Sequence, residues 1–169
     1  MKQKFPIFVI ANNIRSLANV GSFFRISDAA NIQKLYLCGI TGHPRTKNDK
    51  RLSYQIEKEV KTIEKTAIKT IPFVDWEYRK STLDTIKELK KKGMLIVSVE
   101  QTDKSESLWE VKLKFPLCLI FGHERMGVDK EILAQSGLTI DIPMFGKGKS
   151  LNVASAYAIV VYELLKKSL

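Results

Sequence analysis

Ile140-Asp-Ile-Pro-Met-Phe-Gly-Lys-Gly-Lys-Ser150-Leu-Asn-Val-Ala-Ser-Ala-Tyr-Ala-Ile-Val-Val-Tyr-Glu-Leu-Leu-Lys-Lys-Ser-Leu169 reads as a short strand, a glycine-rich loop and a helix. Leu138, Ile140 and Ile142 alternate with Thr139 and Asp141, the period of a strand. Pro143 has no N–H to donate and ends the ladder. Gly146 and Gly148 are expected to permit backbone angles or close approaches that a Cβ would forbid. Ser150 is the expected helix cap, accepting from a free backbone N–H. The helix predicted over Leu151–Lys167 is apolar on nearly every face, which predicts cover on two sides: its own sheet and a second subunit. A monomer would then leave Tyr157, Val161 or their neighbours exposed. Gly148-Lys149-Ser150 looks like the end of a phosphate-binding P-loop. That motif needs a glycine five residues before Gly148, and Pro143 stands there.

Upstream of this stretch, strands and helices alternate. Leu117–Phe121 is apolar without alternation, the pattern of a parallel strand covered on both faces. Val128–Ser136 reads as a short helix stopped by Gly137. Phe5–Ala11 is a buried strand, Asn12–Asn19 a polar loop, and Asn19–Ala30 a helix capped by Asn19 with Val20, Phe23, Phe24 and Ser27 inward. Lys34–Cys38 is a strand and Gly39–Lys50 a polar, basic loop. Arg51–Lys69 reads as exposed helix or mobile loop, and Ile71–Val74 as a short strand. Ser81–Lys92 is a helix with Leu83, Ile86 and Leu89 on one face and Gly93 as its stop. Met94–Val99 is a buried strand, and Gln101–Lys114 an irregular connection holding Trp109. This order predicts a single α/β domain with a mostly parallel sheet and helices on both faces. Ligands of such sheets sit beyond the carboxyl ends of the strands. Those ends carry Asn12–Asn19, Val99–Gln101, Gly122–Gly127 and Met144–Ser150.

A net charge of +10 on 169 residues implies an anionic partner, most simply a nucleic acid. The competing reading is that many lysines merely solvate helix faces, as Lys90-Lys-Lys92 does at a helix end. Cys38 and Cys118 lie in apolar strands and read as reduced thiols of a cytoplasmic protein. With His43 and His123 the only histidines and no Cys/His cluster, no metal is expected. The start is too short in its apolar part for a signal peptide, and no run approaches transmembrane length.

Three stretches carry a resemblance. Asn19-x5-Arg25 with Gly21 inside it, Phe121-Gly-His-Glu124-Arg-Met-Gly127-Val, and Ile140-Asp-Ile-Pro-Met144 through Ser150-Leu-Asn152-Val-Ala-Ser-Ala are similar, in order and spacing, to the motifs of the SpoU-type RNA ribose 2′-O-methyltransferases. The resemblance covers essentially the whole chain. It implies the SPOUT fold, an α/β fold with a deep C-terminal trefoil knot, here as a minimal domain without an additional RNA-binding module. It implies S-adenosylmethionine as cofactor and a homodimer acting on tRNA or rRNA. By the same resemblance Val99, Gly122, Gly127, Ile142, Met144 and Leu151 are expected to bind the cofactor. Core packing is the competing reading for Ile142 and Leu151. Arg25, Asn19, Glu124, Ser150 and Asn152 are expected to form the catalytic set.

A guanidinium stays protonated in proteins, so Arg25 is expected to clamp a phosphate or ribose and orient the 2′-oxygen. Its flanks, Phe24 and Ile26, predict a partly buried arginine with a specific partner. Asn19 and Ser150 read equally well as helix caps. His123 stands where relatives often carry Asn or Gln. Methylation of an RNA base nitrogen, or a catalytically inactive RNA-binding protein of this fold, are the alternative functions.

Overall fold

In a computed structural model that describes residues 3–168, the chain forms a seven-stranded parallel sheet in the order β3-β2-β1-β6-β4-β7-β5. The strands are β1 (Phe5–Asn12), β2 (Ile32–Cys38), β3 (Trp76–Arg79), β4 (Leu95–Val99), β5 (Glu106–Ser107), β6 (Leu117–Phe121) and β7 (Leu138–Asp141). The helices are α1 (Leu17–Ala29), α2 (Ser53–Ala67), α3 (Thr82–Lys91), α4 (Lys130–Gln135) and α5 (Val153–Ser168). Met1, Lys2 and Leu169 lie outside the described residues. No helix among the described residues is long and apolar enough to cross a membrane.

The centre of the sheet explains the unbroken apolar run of β6. It lies between β1 and β4, and all five of its residues are buried. Leu117, Leu119 and Phe121 face the core shared with α1, α2 and α5, whereas Cys118 and Ile120 face the core shared with α3 and α4. Helices therefore cover both faces, as the alternation of elements predicts. Cys38 and Cys118 are free and buried, and burial pushes the Cys38 thiol up to about 11.

Phe23 of α1 stacks on Tyr157 of α5 at 4.6 Å, and both rings meet Phe121 of β6 edge-on. The Tyr157 hydroxyl pairs with Ser27 Oγ at 2.9 Å, which satisfies a polar atom buried with the rings. Gly21 allows α2 to approach α1. A Cβ there would lie 2.2 Å from the Ile63 carbonyl, and Thr66 Oγ1 donates across the contact to Ala18 O at 2.8 Å. The Arg51–Lys69 stretch is thus resolved as helix over Ser53–Ala67, held by Ile56, Ile63 and Ala67. Its preceding loop is pinned by Arg51, which donates to the carbonyls of His43 and Pro44 and pairs with Asp49 and Glu59.

Several sequence expectations shift. Ile71–Val74 is not a strand: Ile71–Phe73 is a 3-10 turn containing Pro72, and the strand comes next, at Trp76–Arg79. Helix α1 begins earlier than expected, and its cap is Ser16, whose side chain accepts from Asn19 N. Gly137 does not stop α4, because Ser136 is already extended and Gly137 N donates to Ile96 O of the sheet. Tyr157 and Val161 are not exposed in the single chain. Both are fully buried in its own core, and the outward side of α5 instead carries Tyr162 and half-buried Ile159.

Candidate functional site

Loops leaving the carboxyl ends of β4, β6 and β7 surround one cavity of about 360 Å³. Val99, Gly122, Gly127, Ile142, Met144 and Leu151 all line it. Glu124, Ser150 and Asn152 line it too, whereas Asn19 and Arg25 do not. Ile142 is 8% exposed and also packs in the core, so both of its readings hold; Leu151, 41% exposed, is a wall residue.

The β6 loop is a tight turn. His123 and Gly127 exchange backbone hydrogen bonds, at 3.0 Å from His123 N and 2.8 Å from Gly127 N. A Cβ on Gly122 would sit 2.2 Å from the Gly127 carbonyl oxygen, and Gly127 has φ +69°, a region costly for any side chain. The His123 ring completes the turn: Nδ1 accepts from the amides of Arg125 at 3.0 Å and Met126 at 3.3 Å. An Asn or Gln side-chain oxygen supplies the same kind of acceptor. Glu100, just past β4, binds the turn from the other side. Its Oε2 accepts from Val128 N at 2.8 Å and its Oε1 from Gln101 N at 2.9 Å. Glu100 also lines the cavity. Sequence reasoning reached its loop but did not single it out. A carboxylate directly after a buried strand, at the ligand-bearing end of the sheet, was the available signal.

Glu124 joins this turn to α1. Its carboxylate accepts from Ser16 N at 2.9 Å, Arg15 N at 3.1 Å and Asn19 Nδ2 at 3.1 Å. Burial opposes its ionisation, but these amides outweigh burial and hold the carboxyl below its ordinary value. A negative charge here also suits the positive end of the α1 dipole. Asn19 Oδ1 in turn accepts from Asn152 Nδ2 at 3.0 Å. The three sequence motifs are therefore physically linked, through Glu124, Asn19 and Asn152.

The cap of α5 is Asn152, not Ser150: Asn152 Oδ1 accepts from Ala154 N at 2.9 Å and Ser155 N at 3.3 Å. Ser150 stays exposed at the cavity wall. Arg25 also departs from expectation. It is exposed, on the α1 face it shares with Ala18 and Ser22, and has no hydrogen-bond or salt-bridge partner among the described residues. Phe24, next to it in sequence, is turned about 100° around the helix and is fully buried. Arg25 lies six residues beyond Asn19, or about 9 Å along the helix axis, so it sits away from this cavity. Gly146 and Gly148 have no positive φ, and a Cβ on either would meet nothing within 4 Å.

This is a parallel α/β fold with a ligand-sized cavity built by loops at the carboxyl ends of its strands. The chain matches the SpoU rRNA Methylase family over residues 6–162 and belongs to that family. Among solved structures it is similar to an A. aeolicus TrmH/SpoU tRNA modifying enzyme, with a TM-score of 0.79 at 28% identity over 98% of this chain and 76% of that one. An AdoMet-bound rRNA methyltransferase from Sinorhizobium meliloti shares the fold, with a TM-score of 0.82 at 23% identity over 99% of this chain and 58% of that one. A tRNA (guanosine(18)-2′-O)-methyltransferase of Escherichia coli K12 is 36% identical over 80 residues, 47% of this chain. That match spans about a third of the relative's length, 35%.

Proposed function

We propose that the chain is an S-adenosylmethionine-dependent methyltransferase that modifies a ribose 2′-hydroxyl of tRNA or rRNA, working in the cytoplasm as a homodimer. The observation that carries this reading is the convergence of the three family motifs on one cavity, joined by the Glu124–Asn19–Asn152 chain. The residues present suit the cofactor. Val99, Ile142, Met144 and Leu151 offer apolar walls, and the acidic Glu100 and Asp141 and the basic Arg125 on the lining would hold its charged amino-acid end. Once bound, the cofactor supplies an electrophilic methyl group on a sulfonium. The remaining work is aligning the hydroxyl, keeping water out, and letting the hydroxyl proton pass to an acceptor as the bond to the methyl forms. Glu124, held ionised, fixes the start of α1 against the wall of the cavity. Asn152 fixes the start of α5, and Ser150 presents a hydroxyl beside it.

Arg25 is free to take an RNA phosphate or ribose. Its distance from the cavity of its own chain favours service to the cavity of a partner, with α1 and the outward side of α5 forming the contact. Half-exposed Tyr162 and partly buried Ile159 beside it suit that interface. The strand order, with β6 placed between β1 and β4, is consistent with a C-terminal trefoil knot, which we include in the proposal. A single methyltransferase domain over the described residues completes it.

Calorimetry with S-adenosylmethionine, followed by digestion of methylated tRNA and rRNA to nucleosides for mass spectrometry, tests the chemistry. Ribose-methylated nucleosides are expected, and base-methylated products would redirect the assignment. Loss of RNA affinity with rising salt is expected from a surface of this charge. Sedimentation of the wild type and of Tyr162→Glu tests the dimer: the variant is expected to be monomeric and nearly inactive.

A further inference from the structure

We infer that Phe145 is a stacking platform for an unpaired RNA nucleobase, with Lys147 and Lys149 taking the neighbouring phosphates; this rests on the RNA-methyltransferase reading above. Phe145 is 90% exposed and Met126 is 78% exposed, the two most exposed large apolar side chains among the described residues. They flank one cavity. Phe145 follows Met144 on the β7 loop, and Met126 lies between Arg125 and Gly127 on the β6 loop, all three neighbours being wall residues. Leaving a phenylalanine in water is unfavourable, and nothing among the described residues covers it.

The loop around Phe145 has a consistent chemistry. From Pro143 to Asn152 it contains two lysines and no acidic residue. Gly146 and Gly148 need no positive φ, and a Cβ on either would meet nothing within 4 Å among the described residues, so their bareness is unused by the fold. Bare backbone suits the close approach of another molecule. An aromatic ring, alternating cations and an approachable backbone together match single-stranded nucleic acid, whose bases stack on aromatics while its phosphates meet lysines. A hydrophobic protein partner would not call for that lysine spacing.

The test compares wild type, Phe145→Ala and Phe145→Trp. Phe145→Ala is expected to raise KM for RNA about tenfold, to leave S-adenosylmethionine affinity unchanged and to sediment like the wild type. Phe145→Trp is expected to restore KM. Without cofactor, its fluorescence is expected to be quenched by total tRNA or by rRNA beyond any quenching of Trp76 and Trp109 in the wild type. An unchanged KM in Phe145→Ala, or no extra quenching of Phe145→Trp by either RNA, overturns the inference. Parallel loss of cofactor affinity makes Phe145 a wall of the cofactor cavity instead. A smaller sedimenting species makes it a subunit contact. A wild type that neither binds cofactor nor methylates RNA removes the enzyme reading alone, since the quenching is read without either.

Discussion

Two pairs of glycines border the same cavity and play opposite parts. In the first pair, Gly122 lies against the Gly127 carbonyl, and a Cβ on Gly127 would come 2.1 Å from Glu100 Oε2. In the second, Gly146 and Gly148 face open space. The first pair is demanded by the fold of one chain and builds the wall. The second pair meets nothing among the described residues, and under the inference above it is where RNA would approach. Identical residues in adjacent motifs thus carry different constraints, and substitution separates them.

The largest effect is expected at the first pair. Gly122→Val places two methyl groups on a carbon that has no room even for itself. Cofactor binding should fall below calorimetric detection, with a stability loss on the order of 3 kcal/mol in denaturant unfolding. Wild-type affinity in a folded variant would break the contrast. Glu100→Ala should follow, because it strips the acceptors from Val128 N and Gln101 N, a loss of about 1–3 kcal/mol. It also clears the space that a side chain at residue 127 would enter. The cost of Gly127→Ala should therefore shrink when Glu100→Ala is already present, and a double-mutant cycle measures that coupling. Strictly additive costs would show that the positive φ alone forbids the side chain.

A smaller effect is expected from Glu124→Gln, which keeps the shape but removes the charge that collects two amides and the Asn19 side chain. Loss of this cap-like contact should cost about 1 kcal/mol. The pH dependence has a definite sign. The folded carboxyl is held below its ordinary value, so its stabilisation is present above that value and is lost as pH falls through the folded pKa. Acid unfolding of Glu124→Gln should lack that component. Superimposable acid limbs for the variant and the wild type would mean that the amides hold the neutral group equally well.

Regularities of one helix or strand were legible in the sequence; meetings between distant segments were not. The apolar run of Leu117–Phe121, the inner face Val20–Phe23–Phe24–Ser27 and the helix bearing Ile86 and Leu89 all follow from local pattern. Trp76 and Tyr78, which face the core, alternate with Glu77 and Arg79; that alternation marked the strand displaced from Ile71–Val74. Ser150 and Asn152 are both good caps by residue type. The path of the loop into α5 decides between them, and Asn152 is further held by Asn19, 133 residues away. The Glu100 and His123 contacts depend in the same way on the path of a turn. For α5, apolar residues on every side suggested two covers. The single chain already buries the side bearing Tyr157, Val160, Val161 and Leu164, which moves the candidate subunit contact to Tyr162.

The smallest effect on the folded chain, and the one that sharpens the comparison most, belongs to the second pair of glycines. Gly146→Ala and Gly148→Ala add a methyl group that meets nothing within 4 Å, at positions without positive φ. Alanine also restricts the unfolded chain more than glycine does, so each should stabilise by about 0.4–1 kcal/mol. For a chain of this size that raises Tm by about 1–4 °C. Cofactor affinity should stay at the wild-type level, because the wall residues Met144, Ser150 and Leu151 are untouched. RNA affinity should fall, because the added methyl stands where the backbone of a bound strand would pass. Calorimetric Tm, cofactor titration and RNA titration of the double variant together decide the point. Destabilisation would show that the loop adopts a second, glycine-dependent conformation. Unchanged RNA affinity would place the RNA elsewhere on the basic surface.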